Sequence, residues 1–358
     1  MNNKTLKLKH LLKEGLDAVL ITSVSNIVYL IGYFGFSYFE REAFLVITNT
    51  ENYLITDGRY SEAVADIPGF KLIETSLENT IDKVFENLSR KIKKIGIEEN
   101  DLSVLEYRKL RKYFRTANLS DLQNLRVIKN SSEVKSIEKA CKLGDETFDF
   151  ILNKIKLGVT EKKIALEIEF FIKRAGADIS FPPIVAFSKN SSIPHHKTSG
   201  QRLKINSPVL LDFGIKVENY CSDMTRTVFF GKADDKFKKI YNTILDAQKL
   251  TIEQLNNLTI AEKQIKASYI DDIARKHIIN QGFPSIPHSL GHGIGIEVHE
   301  PPRLSSKSKD ILKEGMVFSI EPGIYISGYG GVRIEDLVVL EKKGACLLTH
   351  SPKHLIEI

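Results

Sequence analysis

Apolar residues recur along the chain with two periods, and the switch between them outlines its elements. In the first third they form short runs. Asp17-Ala18-Val19-Leu20-Ile21-Thr22 reads as a buried strand, and Ala43–Thr48 and Tyr53–Thr56 flank the polar Asn49–Asn52 turn as a hairpin. Further strands are expected at Lys71–Glu74 and Lys94–Ile97, with helices near 76–92 and 102–116. This pattern predicts one α/β domain over residues 1–125. From Asn130 or Ser131, either of which can cap a helix, a 3.6-residue period runs to about Leu157 and opens a second domain, residues 126–358. Thr160 caps the next helix, which runs to Arg174 and stops at Gly176, and two more helices are expected at about 234–256 and 262–281. Strand pairs fill the intervals at 207–231 and 315–340. A helix pair followed by a hairpin thus occurs twice, hinting at an internal duplication without sequence identity between the halves.

Length and composition agree with two soluble units. The chain has 358 residues, beyond the roughly 100–200 of one domain, with 42% hydrophobic and 27% charged residues. With 19 Phe, 12 Tyr and no Trp it can build a large core, which argues against disorder. No apolar run reaches the ~18 residues needed to cross a bilayer, so no membrane partner is expected. The net charge of +6 comes from scattered Lys and Arg, without the basic stripe that nucleic acid requires. Cys141, Cys221 and Cys346 are far apart and form no CxxC pair, which fits reduced thiols and a cytoplasmic location. The first nine residues show no apolar signal region ahead of an acidic, periodic helix, and nothing there reads as a signal peptide.

The candidate chemistry lies in acidic residues set inside apolar strands, where an ionised carboxylate is costly unless paired or bound to a cation. A first hairpin centred on Val217-Glu218 would make facing residue numbers sum to 435 and place Asp212 opposite Asp223. A second, centred on Gly328, would make them sum to 656 and place Glu321 opposite Glu335. Two carboxylates side by side must share a proton or a cation. Histidine supplies another ligand type: His288, His292 and His299 fall within twelve positions, and Gly291, Gly293 and Gly295 argue against a helix there. His195-His196 follows Pro194 in a polar loop. Such a set suits one or two divalent cations with oxygen and nitrogen ligands, such as Mn, Co, Zn or Fe, and amide or ester hydrolysis is the natural chemistry.

These residues stand in ordered motifs that resemble the pita-bread metallopeptidases, and within them the proline-peptidase branch of prolidase and aminopeptidase P. The motifs are Leu211-Asp212-Phe213-Gly214, Ser222-Asp223-Met224-Thr225-Arg226-Thr227, Gly291-His292-Gly293-Ile294-Gly295 with Val298-His299-Glu300, Ile320-Glu321-Pro322-Gly323-Ile324-Tyr325 and Gly331-Val332-Arg333-Ile334-Glu335-Asp336. The resemblance implies an α/β chain with a creatinase-like N-terminal domain and a catalytic pita-bread domain. It implies two divalent metal ions per subunit, manganese foremost, held by Asp212, Asp223, His292, Glu321 and Glu335, with Asp223 and Glu335 bridging. His195 and His299 would bind and protonate the scissile amide, and His288 matches a third active-site histidine. In the N-terminal region, Asn26–Leu30, Ile31-Gly32-Tyr33 and Thr56–Tyr60 resemble the domain that in this branch leans over the partner subunit's site, which implies a homodimer.

The implied substrate is a peptide with proline second. Prolidase cleaves the Xaa-Pro dipeptide alone, whereas aminopeptidase P trims longer peptides. Arg303, in His299-Glu300-Pro301-Pro302-Arg303, sits where a guanidinium could pair with a dipeptide's free carboxylate, and this favours prolidase. Arg333, two residues before Glu335, is expected to fix that carboxylate from behind, and His196 to point away from the site. A metal-free binding module of the same fold is the third reading; it would have lost ligands, and none is lost.

Overall fold

The computed structural model describes residues 8, 12, 15–119, 122 and 124–358, so most of the N-terminal segment read as an acidic helix lies outside the described residues. By contact density the chain divides into Met1–Arg126 and Val127–Ile358.

In the first unit, strands β1 (Ala18–Ile21), β2 (Ala43–Thr48), β3 (Asn52–Asp57), β4 (Lys71–Thr75), β5 (Lys94–Glu98) and β6 (Arg115–Leu119) form one sheet in the order β4-β3-β2-β1-β5-β6. The central β1 is buried at all four positions, which is why its sequence is an unbroken apolar run. Three helices were read differently in the sequence. Helix α1 (Val24–Ile31) was not anticipated: it is only eight residues long, seven of them buried, and Gly32 at φ 75° ends it. Helix α2 covers only Ile81–Ser89, capped by Thr80. Helix α3 (Val104–Leu110) stops well short of 116, because Arg115–Leu119 leaves it to pair in parallel with β5.

The second unit repeats a simple plan, two helices followed by antiparallel strands. Helix α4 (Ser131–Leu152) starts at a capping box between Asn130 and Glu133, and α5 (Glu161–Arg174) starts at Thr160, whose hydroxyl accepts from Lys163 N. Strands β7 (Ile184–Phe187), β8 (Ser207–Phe213) and β9 (Met224–Phe230) follow as a three-stranded sheet with β8 in the middle. Helices α6 (Asp235–Ile260) and α7 (Ala267–Asn280) precede β10 (Gly291–Gly293), β11 (Glu300–Leu304), β12 (Val317–Ile320), β13 (Gly323–Ile326), β14 (Gly330–Arg333), β15 (Asp336–Glu341) and β16 (Gly344–Leu347). Five of these form a sheet in the order β11-β10-β12-β15-β16, and β13 pairs with β14.

The two hairpins differ in how they meet the expected register. In the first, Asp212 faces Thr225, not Asp223, and the facing numbers sum to 437 from Val217↔Tyr220 to Ser207↔Phe230. The turn is centred on Glu218 and Asn219, both at positive φ (49° and 68°), the geometry of the two-residue turn that matches strand twist. A shift of two preserves parity, so Asp212 and Asp223 remain on one face as diagonal neighbours. In the second hairpin the sum of 656 holds, at Ile320↔Asp336 below and Gly323↔Arg333 above. Glu321 and Glu335 occupy matching breaks between these two ladders.

Candidate metal centre

Three segments meet at the carboxylates. Glu335 N donates to Thr225 O (3.0 Å), joining the second hairpin to the first, and Glu321 N donates to Leu290 O (2.8 Å), joining it to the histidine strand. Gly291 makes the latter approach possible: a Cβ there would lie 1.9 Å from the carbonyl oxygen of Ser319. Asp223, His292 and Glu335 each offer one ligand atom, and these atoms lie within 4.8 Å of one another. Glu321 Oε1 is 3.4 Å from His292 Nε2, and Asp223 Oδ2 is 3.7 Å from it.

The protonation pattern of the cluster favours a cation. His292 Nδ1 is 3.1 Å from Gly293 O, which can only accept, so Nδ1 carries the proton and the Nε2 lone pair faces the carboxylates. Burial and the neighbouring His299 lower the His292 pKa to about 4, keeping it neutral. Burial, then the charge of Glu335, pushes Asp223 and Glu321 well above the carboxylate range, and burial with Asp212 raises Glu335 to about 7. Asp223 Oδ1 and Glu335 Oε1 are buried with no hydrogen-bond partner among the described residues. Orphaned carboxylate oxygens beside a neutral imidazole form a donor set suited to a divalent ion.

Asp212 belongs to the same electrostatic group but is held differently. Arg333 donates to its Oδ2 through Nη2 (2.5 Å), to Thr225 Oγ1 through Nε (3.0 Å) and to the Tyr325 hydroxyl through Nη1 (2.9 Å). Arg333 was expected to fix the Glu335 carboxylate from behind; its direct partner is Asp212, and it bears on Glu335 through its charge and through Thr225, whose hydroxyl donates to Glu335 Oε2 (2.7 Å). The reason lies in the register, which puts Thr225 opposite Asp212 and so between the two carboxylates.

The histidines sit at different depths. His288 donates from Nδ1 to Ser289 O (2.7 Å), leaving Nε2 to accept from the Tyr325 hydroxyl (2.8 Å), and burial lowers its pKa to about 4. Helix α7 holds its loop: Arg275, paired with Asp271, donates to the carbonyls of Ile286 and His288. His299 is exposed, with its ring 4.3 Å from that of His292. His195 is also exposed, and it interacts electrostatically with Asp212, His288 and His299. His196 turns the other way and meets Glu161. Arg303 is exposed opposite His292 in the β10–β11 ladder, and its Nε donates to Ser289 Oγ (3.0 Å).

Three residues with polar contacts here were not singled out in the sequence. Thr225 lies two positions after Asp223 and Ser319 two before Glu321, so the period-2 rule for a strand face could have found both. Ser319 Oγ receives His292 N (3.0 Å) and donates to Glu321 Oε1 (3.3 Å). Tyr325 gives no such signal, since its role depends on β13 folding back along β14.

Comparison with known proteins agrees with this geometry. Residues 135–342 match the model of metallopeptidase family M24, and residues 6–128 match the creatinase/prolidase N-terminal domain. The chain is 39% identical to the uncharacterized peptidase YqhT of Bacillus subtilis, over 99% of both chains. A solved Xaa-Pro dipeptidase from Bacillus anthracis superposes with a TM-score of 0.91 at 34% identity, over 99% of both chains. An X-Pro aminopeptidase from Thermotoga maritima superposes with a TM-score of 0.85 at 32% identity, over 96% of this chain and 98% of the other.

Proposed function

Because the chain belongs to metallopeptidase family M24, we propose that it hydrolyses the amide bond between an N-terminal residue and proline, with the Xaa-Pro dipeptide as preferred substrate. The observation that carries this reading is the cluster of Asp223, His292 and Glu335, with its unpartnered carboxylate oxygens. Asp212, Asp223, His292, Glu321 and Glu335 would hold two divalent ions, with Asp223 and Glu335 between them and manganese as the preferred metal. Such ions supply water activation at neutral pH and polarisation of the scissile carbonyl.

The remaining roles fall to the chain's own side chains. His299 and His195, exposed at the edge of the cluster, bind the scissile amide and deliver a proton to its nitrogen. His288 stays neutral and orders the Tyr325 hydroxyl. Among the described residues the Arg303 side chain makes its one hydrogen bond through Nε, which leaves both terminal nitrogens for a bidentate pair with the dipeptide's carboxylate. Residues 126–358 would then be catalytic, and residues 1–125 would limit substrate length and form a homodimer in the cytoplasm.

Turnover of an Xaa-Pro dipeptide, an Xaa-Pro-Xaa tripeptide and a longer Xaa-Pro peptide by the manganese-loaded chain tests the reading. Preference for the dipeptide is expected. Equal turnover of all three would favour an aminopeptidase, and no turnover with manganese or cobalt would leave a non-catalytic module.

A further inference from the structure

We propose that Glu161 and His196 form a clasp that positions His195 beside the carboxylate cluster; its catalytic consequence rests on the Xaa-Pro hydrolase reading. Glu161 is the first residue of α5, and it is 0% exposed. Its Oε1 accepts from Phe187 N and Asn190 Nδ2, both at 2.8 Å. Its Oε2 accepts from Ser199 N (2.9 Å) and Ser199 Oγ (2.5 Å), and lies 2.9 Å from His196 Nε2. A carboxylate has about four lone-pair sites, so these donors saturate it. Burial would raise its pKa, but the bonds from Ser199, Phe187, His196 and Asn190 outweigh burial and hold the group below its ordinary value. An ionised carboxylate can only accept, so the proton on His196 sits at Nε2.

The contacts of Glu161 fall at both ends of one excursion. Phe187 and Asn190 begin it, His196 and Ser199 end it, and His195 lies between. The adjoining backbone is tied to the same helix start, with Lys162 N donating to Ser199 O and Glu161 N to Gln201 O, both at 3.1 Å. On the other side, Ser191 Oγ accepts from Gly331 N (2.9 Å) and Pro194 O accepts from Arg333 Nη1 (3.4 Å). His195 is therefore flanked by Pro194, held through the site's own arginine, and by His196, held by a buried carboxylate. With the backbone fixed on each side, an exposed imidazole retains only its side-chain torsions, and the loss of alignment that a free loop would impose is avoided. His196 is a positioning residue in this scheme, acting through the backbone it shares with His195.

The test uses the full manganese-loaded chain and an Xaa-Pro dipeptide. In His196→Ala, kcat should fall about 10- to 100-fold, the usual effect of losing a supporting contact behind a catalytic group, with KM little changed. His196→Gln, whose side-chain amide can still donate to Glu161, should recover most of that loss. Hydrogen exchange of the peptide spanning 187–199 should quicken in His196→Ala and return toward the parent in His196→Gln. Unchanged kcat in His196→Ala, or equal loss in both variants, overturns the clasp. Should the parent hydrolyse no Xaa-Pro peptide, the proposed activity falls while exchange still decides the clasp: quickening in the alanine variant alone supports it, and unchanged exchange overturns it. Glu161→Gln, which strips the clasp at its centre, should quicken exchange over the whole segment wherever it folds.

Discussion

Arg226 and Asp336 form a salt bridge of 2.6 Å with side chains only 1% and 0% exposed. Each follows a residue of the site, Thr225 and Glu335, and therefore points to the opposite side of its strand. The guanidinium also donates to the carbonyl of Glu335 (2.5 Å) and to Ser351 O (3.0 Å), so the pair pins the backbone from which the Glu335 carboxylate projects.

Removing one partner of such a pair leaves a buried charge uncompensated, which costs about 3–5 kcal/mol. Asp336→Asn should lose stability of that order at pH 7 in urea unfolding. Burial would raise the Asp336 pKa, but Arg226 and Lys353 hold it below its ordinary value. A depressed folded pKa means that the contribution is complete above about pH 4 and is lost as pH falls through the folded value. The gap between parent and variant should therefore narrow in acid; a gap independent of pH would show that the charge is not what Asp336 contributes.

The carboxylate cluster predicts the opposite dependence in the metal-free chain. Asp223, Glu321 and Glu335 have raised folded pKa values, so their contribution is complete below about pH 4 and is lost as pH rises through those values, about 7 for Glu335. His288 and His292, with lowered values, act in the contrary sense only below about pH 6.5. Above that pH the carboxylate effect stands alone. The melting temperature of metal-free protein should fall between about pH 6.5 and 8.5, and added manganese should restore it.

Glu335→Ala removes one of the two residues proposed to bridge the ions. Activity should drop more than ~100-fold, beyond the usual cost of losing a supporting contact, and metal analysis should show at least one equivalent lost. Full metal content with full activity would remove Glu335 from the ligand set.

Thr225→Val keeps the side-chain volume but deletes the hydroxyl between Arg333 and Glu335. Metal affinity measured by competition with a chelator should weaken by about 10- to 100-fold. Unaltered affinity would mean that Glu335 holds its orientation without Thr225.

Arg303→Ala should separate substrates by length. Loss of a charge-assisted bond of about 1.5–3 kcal/mol corresponds to roughly a 10- to 100-fold fall in kcat/KM for the dipeptide. The tripeptide, whose carboxylate lies one residue farther on, should be affected little. Equal losses on both would assign Arg303 to the shape of the loop.

What could be read from the sequence depended on how local the determinant was. The register of the second hairpin was legible because Gly328 marks its turn in the sequence, and the sum of 656 recurs in the ladders on either side of Glu321 and Glu335. The first hairpin slipped by two because its turn uses Glu218 and Asn219 at positive φ, and only Asn219 carries a hint of that conformation. Tyr113 and Phe114 extended the apparent period of α3 although the chain was already turning toward β6. The partner of Arg333 was the hardest to read, since Asp212 lies 121 positions away and meets it only after two hairpins have docked.

The matched breaks at Glu321-Pro322 and Ile334-Glu335 have a practical corollary. The ladders on both sides of the breaks share one register, so the pairing of β12 with β15 alone suffices to align the two carboxylates, at the end of the hairpin away from its tip at Ser327-Gly328. That tip is exposed, and its length does not enter the alignment below it. A short peptide tag or reporter inserted between Ser327 and Gly328 should leave the carboxylates where they are, which makes this turn a place to attach a label within residues 127–358.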